Sequence, residues 1–317
     1  MTCLEQIRAS RIIVTGGNGL IGRATVEHLA NLGAEVTIFA RPESSSAWMD
    51  ESLADKVSVV AGDVMDVESL RLAFRGQDAV VHMGGYAGLG MASVAETYQV
   101  NVAGTFNVFI EAVKAGVTKL VYASSINANG FPLGALRSNP PALPYDEYAE
   151  AVISDEYSLS KQASENAAQM VSRITDMGIT GLRFPLTRDI TLDGGRVFGE
   201  DVLRRMQTDP RRQAAEGWSY LDIRDAARSV ELALLNETPA APGILVAAPD
   251  TYLKNPTGQA HLRYFPEVPT AGFEGRQVGL NLRLQKEWLN FHAEICFEDF
   301  AREWLVDLDD LPSVDDY

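Results

Sequence analysis

Residues 11–22, RIIVTGGNGLIG, constrain this chain more than any other stretch. Ile12, Ile13, Val14 and Thr15 favour an extended strand, and they run straight into Gly16, Gly17, Gly19 and Gly22. An apolar helical period then continues through Leu20, Ile21, Val26 and Leu29. Strand, glycine turn and helix in that order can seat a pyrophosphate. The first glycine permits the tight turn, the second lets backbone approach the anion, and the third lets helix pack closely on strand. Unpaired N–H groups and the helix dipole then favour negative charge at the helix start. Gly16, Gly19, Leu20, Ile21 and Gly22 are therefore the first candidate binding residues, for a dinucleotide.

Beyond this turn the pattern predicts strands at 35–40 (EVTIFA), 57–61 (VSVVA), 79–83, 119–123, 179–184 and 243–247. Helices are expected from near Val67, over 94–115 and over 157–177, with Gly33 as the C-cap of the first helix. Such alternation predicts an α/β fold, a doubly wound parallel sheet. A cofactor-binding domain over 1–180 is expected, with 181–317 completing the sheet and forming a small C-terminal substrate region. With 317 residues, 46% of them hydrophobic, the chain can bury the core this needs.

A net charge of −16 argues against nucleic-acid or anionic-membrane partners. Cys3 and Cys296 lie nearly a chain length apart, so neither a disulfide framework nor a CxxC pair is available, and a reducing, cytoplasmic location is expected. The opening MTCLEQIRAS has no basic region followed by an apolar run. His28, His82, His261 and His292 are scattered, so packing or surface roles are expected and no metal site is.

Three further features carry chemistry. After EVTIFA, where an NAD site usually has a carboxylate for the ribose, the chain has Ala40-Arg41-Pro42 and then Ser44, Ser45 and Ser46. A guanidinium without a carboxylate suits a 2′-phosphate, so NADP is expected over NAD, a solvated Arg41 being the alternative. Asn101 falls in the middle of a helix, against its propensity, and so needs a reason. Tyr157 and Lys161 are four residues apart, on one helix face. A phenol is a poor base at neutral pH unless cations favour its anion, and Lys161 with a nicotinamide ring would supply that charge. The fifth strand opens into Ser124-Ser125, where ligands of open α/β sheets gather, and Tyr157 can accept an alcohol proton as hydride leaves.

The TGxxGxxG spacing from Thr15 to Gly22, with Tyr157-x-x-x-Lys161 downstream, resembles the extended short-chain dehydrogenase/reductase family and its epimerase/dehydratase-like members. The resemblance runs from about residue 11 to 246 and implies a Rossmann domain. It implies that Asp63-Val64 contacts adenine, Asp63 as a helix cap being the alternative, and that Gly84-Gly85 passes close to the cofactor. It makes Ser125, Tyr157 and Lys161 catalytic, with Asn101 ordering the active-site end of its helix or making only an interhelical bond. Asn127 would lie beside the substrate, and the Asn101 and Tyr157 helices would pair across a homodimer axis.

In motif detail, VHMGGYAG and ASS-x-x-x-x-GF resemble sugar- and uronate-dehydrogenase-like members, although Ile126 stands where those usually have Asn. Family dehydratases carry acidic residues after the serine; Ile126 and Asn127 disfavour dehydration. LRFPLTRDITLDGG lacks the Tyr-Gly-Pro step of nucleotide-sugar members, and Arg188 and Arg196 are candidate clamps for a substrate anion, surface roles being the alternative. Asp222 and Asp225 read as helix-starting or loop-fixing groups. The segment after residue 247 resembles a substrate lid. The implied activity is NAD(P)-dependent hydride transfer to or from a secondary alcohol or lactol of a sugar or sugar acid. The enzymatic alternative is a nucleotide-sugar epimerase with a tightly held cofactor. A non-catalytic NADP sensor would have no use for Ser125, Tyr157 and Lys161 together.

Overall fold

Successive residues of a strand face opposite sides of a sheet, and in this chain both directions are apolar. In β1 (Arg11–Thr15), Ile12 and Val14 enter one buried cluster and Ile13 enters another. The same division separates Val81 from Val80 in β4 (Ala79–His82), and Val121 from Leu120 and Tyr122 in β5 (Lys119–Ser125). Strands of this kind need cover on both faces, which a parallel sheet flanked by helices provides. The computed structural model, which describes residues 3–44, 46–236 and 243–311, has that architecture.

The other strands of the main sheet are β2 (Glu35–Ala40), β3 (Val57–Ala61), β6 (Gly178–Phe184) and β9 (Ile244–Leu245). Their order is β3-β2-β1-β4-β5-β6-β9, every pairing parallel. The order reverses between β1 and β4, which opens a crevice at the carboxyl ends of the strands, where ligands of such sheets bind. β7 (Leu186–Arg188) and β8 (Tyr220–Asp222) form a separate parallel pair that places Arg188 opposite Asp222.

Several expected elements are adjusted. The helix read over 94–115 is α-helical at Val94–Tyr98, π-helical at Gln99–Gly104 and α-helical again at Thr105–Lys114. The widened segment contains Asn101, whose side chain bonds to a neighbouring loop. The Tyr157 helix runs Glu156–Ile174; Asp155 caps its start by accepting from the Ser158 N–H at 2.7 Å, and an extended Thr175 ends it. Asp66, not Asp63, caps the helix Val67–Ala73, while Asp63 accepts from the Met65 N–H. Gly33 is the left-handed C-cap of Leu20–Leu32. Asp222 caps Ile223–Leu235, and buried Asp225 accepts from the Glu294 and Ile295 N–H groups, fixing that loop.

His82 is buried between the hydroxyls of Thr15 and Thr105, His28 pairs with Glu231, and His261 bonds the Val268 carbonyl. Among the described residues no cluster of His, Cys, Asp and Glu can hold a metal, and no helix is long and apolar enough to cross a membrane. Ser45 lies outside the described residues.

Candidate active site

A cleft of about 630 Å³ lies over the carboxyl ends of β1, β4 and β5. Gly16, Gly19, Leu20, Ile21, Gly22, Gly84 and Gly85 line one end of it. The glycines are sterically required there. Gly16 has φ +70°, and a Cβ on it would come 2.5 Å from the Gly84 nitrogen; one on Gly22 would meet the Gly16 carbonyl oxygen at 2.2 Å. The turn is therefore closed tightly enough to deliver the helix start at Leu20 to the cleft floor. A dinucleotide fits this cradle, with its pyrophosphate on the helix N-terminus.

Ser125, Tyr157 and Lys161 line the same cleft. Ser125 ends β5, and its Oγ accepts from the Asn127 N–H at 3.1 Å. Tyr157 sits in the first turn of its helix and is 6% exposed, with its hydroxyl near enough to the Ser125 side chain for Ser125 to bias the phenol. Lys161 lies one turn further on. Its Nζ donates to the Ala123 carbonyl at 2.9 Å and stands 5.7 Å from the Tyr157 ring centre. Burial raises the Tyr157 phenol above its ordinary value and Ser125 opposes the rise, while the carboxylates of Glu216 and Asp155 add to it. Burial also pushes Lys161 down to about 8, against the pull of Glu165. In the free protein the phenol is thus held neutral, ready to be ionised by added positive charge.

Beneath this group lies a buried ion pair that holds the helix to the sheet. Arg183 of β6 donates to both oxygens of Glu165, at 2.8 and 2.7 Å, and the Ser124 hydroxyl donates to Glu165 at 2.5 Å. Arg183 also donates to Asn129 Oδ1. A fork-on-fork geometry with extra bonds is what lets two buried charges persist.

Asn101 does not line the cleft. Its side chain accepts from the Tyr86 N–H at 2.8 Å and donates to the Tyr86 carbonyl at 2.9 Å and the Ser160 hydroxyl at 3.2 Å. It therefore ties the loop after Gly85 to the helix of Tyr157. Asp63 and Val64 lie off the cleft, Val64 accepting from Asn107 and packing on Gly104. Arg41 is exposed and pairs with Glu43 at 3.2 Å, close enough to Tyr86 to bias its phenol, as Asp63 also does.

On the substrate side the two candidate arginines part. Arg196 starts an exposed helix, Arg196–Thr208, and is engaged by Asp193 and Glu200, so it is no clamp for an anion in this cleft. Arg188 does line the cleft; it donates to the Thr187 carbonyl, and burial and the like charge of Arg205 lower its pKa. Sequence reasoning missed Arg205, Arg212 and Glu216, which complete this wall. They come from helices Arg196–Thr208 and Pro210–Ala215 and the turn after them, with no motif to mark them. Asn127, also in the cleft, donates from Nδ2 to Glu216 at 3.4 Å.

The model of the NAD dependent epimerase/dehydratase family matches residues 12–187. The chain belongs to that family. The family is enzymatic, and its relatives of this chain divide between chemistries. L-arabinose 1-dehydrogenase (NAD(P)(+)) of Haloferax volcanii is 28% identical over 272 residues, 83% of this chain and 98% of that protein. UDP-glucose 4-epimerase of Streptomyces lividans is 26% identical over 170 residues, 52% of this chain and 51% of its own length. The chain likewise spans about half the length of several other curated relatives. A short-chain dehydrogenase/reductase superfamily protein from Agrobacterium tumefaciens, solved with bound NAD, shares the fold with a TM-score of 0.67 and 23% identity, over 93% of this chain and 96% of that one. Family membership thus accounts for the glycine cradle and the Rossmann sheet, and leaves the substrate wall to be read from its own residues.

Proposed function

We propose that this protein is an NAD(P)-dependent oxidoreductase acting on a secondary alcohol or carbonyl of a small sugar or sugar acid. The observation that carries this reading is the convergence of Ser125, Tyr157 and Lys161 on one cleft with the glycine cradle. A nicotinamide dinucleotide bound along Gly16–Gly22 and Gly84-Gly85 would supply the hydride acceptor or donor. Ser125 orients the substrate oxygen by hydrogen bonding, and Tyr157 takes its proton during oxidation or returns one during reduction. Lys161 beside the phenol favours the ionised form that oxidation needs.

Arg188 is proposed to bind a substrate carboxylate, supported by its place in the cleft without a carboxylate partner among the described residues. Arg41 is proposed to favour NADP over NAD. A homodimer is proposed through the helices of Asn101 and Tyr157, which expose Tyr98, Phe106 and Leu159.

The test is a screen of aldoses, uronates and nucleotide sugars with NADP or NAD, following near-ultraviolet absorbance and product stereochemistry together. The expected result is one reduced nicotinamide released per small alcohol oxidised. Inversion of a nucleotide sugar with no net change in cofactor would overturn the reading in favour of an epimerase.

A further inference from the structure

Glu216 acts on the chemistry described above only through its field on the Tyr157 phenol, yet it stands on the wall of the cleft itself. It is only 8% exposed, and a carboxylate with so little contact with water is costly unless donors surround it. Two donors are present, and both reach the same oxygen: Arg212 Nε at 3.1 Å and Asn127 Nδ2 at 3.4 Å. Among the described residues no protein group donates to Oε2. A carboxylate has about four lone-pair sites, so acceptor capacity remains on a side chain that faces the substrate space.

The placement of Glu216 is rigid. Its N–H donates to the Arg212 carbonyl at 2.9 Å, and its own carbonyl accepts from the Ser219 hydroxyl at 2.6 Å. Asn127 links it to the reaction centre, since the Asn127 N–H bonds Ser125 Oγ while its side chain bonds Glu216. The Asn127 amide cannot be reversed without setting its oxygen against the Glu216 carboxylate, so the donor end faces Glu216.

We propose that Glu216 is a substrate-recognition residue: its carboxylate accepts a hydrogen bond from a hydroxyl of the substrate, while Arg188 on the same wall takes any anionic group. The neutral, hydroxylated part of a polyol is thereby directed to Glu216, whose free oxygen can accept from a hydroxyl but not from a phosphate or carboxylate oxygen that carries no hydrogen. This inference rests on the proposed function, because it supplies the selectivity of that site. It makes the cleft a polyol reader in which loss of one hydroxyl matters.

The experiment compares wild type, Glu216→Gln and Glu216→Leu. Each is offered the best sugar substrate from the screen and its series of single deoxy analogues, with turnover by absorbance and ligand binding by calorimetry. One deoxy analogue should lose on the order of 10–100-fold in kcat/KM on wild type, as for a hydrogen bond to a charged group. The same analogue should lose little further on Glu216→Leu, and Glu216→Gln should fall between. Cofactor affinity should be unchanged in both variants, which controls for folding. Equal losses for parent and deoxy sugars across the variants would overturn the role of Glu216 while leaving hydride transfer intact. Should no sugar be oxidised at all, the proposed function falls, and calorimetry still decides: sugar binding abolished by Glu216→Leu supports Glu216, and binding unaffected by it, or absent in wild type, overturns it.

Discussion

The two walls of the cleft are built on different principles. The cofactor wall is made by residues close in sequence: the glycine turn between β1 and its helix, and Tyr157 and Lys161 one helical turn apart. The substrate wall gathers Arg188, Arg205, Arg212 and Glu216 from a short strand, two helices and a turn. On the first wall the charges are few and buried, and backbone shape forms the cradle. On the second, side-chain charges compete with internal partners, as Arg205 does with Asp201 and Arg212 with Glu216.

The largest effect is expected on the first wall. Tyr157→Phe retains the packed ring and removes only the acid/base hydroxyl, so turnover should fall by roughly 10²–10⁴-fold with cofactor affinity nearly unchanged. Wild-type oxidation should also rise with pH up to the point, about 8, where Lys161 loses its charge, because burial and Glu216 hold the phenol above its ordinary value and the reactive form is the ionised one. That limb should vanish in the variant. Retention of more than about a tenth of the rate would remove Tyr157 as the base.

A smaller, selective effect is expected on the second wall. Arg188→Gln should lower kcat/KM for a uronate by on the order of 10–100-fold and leave the matching neutral sugar almost unaffected. A parallel loss on both substrates would show that Arg188 supports the wall instead of reading a charge.

The smallest effect belongs to Arg41. Its guanidinium is exposed and already paired with Glu43, so screening and competition limit what it contributes. Arg41→Ala should weaken NADP by roughly two- to fivefold, in line with about 0.5–1 kcal/mol for an exposed ion pair, with NAD unchanged. Titration of both cofactors against both proteins checks this. Equal weakening of the two would mean that Arg41 does not read the 2′-phosphate.

Much of the fold was legible because parallel strands covered on both sides read as short apolar runs. The bounds Glu35–Ala40 match their expected limits, as do those of the edge strand Val57–Ala61, which is exposed after its first residue, and Gly33 closes its helix as a left-handed cap. Misjudged features were those set by neighbours. Asp63 looks like a helix cap in sequence, yet Asp66 caps the helix, because the chain turns for three more residues before winding. Asn101 sits in a π-helical segment, since its side chain must reach both Tyr86 and Ser160. Arg196 looked as suitable as Arg188 until the fold set it beside Asp193 and Glu200.

The sequence alone therefore determined the doubly wound sheet, the glycine cradle and the Tyr157–Lys161 spacing. Each depends on backbone sterics or helical period acting over a few residues, and these are written in residue order. Only the tertiary structure decided that Glu165 and Arg183 pair beneath the site, that Asn127 joins Ser125 to Glu216, and which arginine faces the substrate. Those contacts link residues tens of positions apart, and whether a charged side chain finds solvent, a partner or a cleft is settled by what packs against it, which no local pattern encodes.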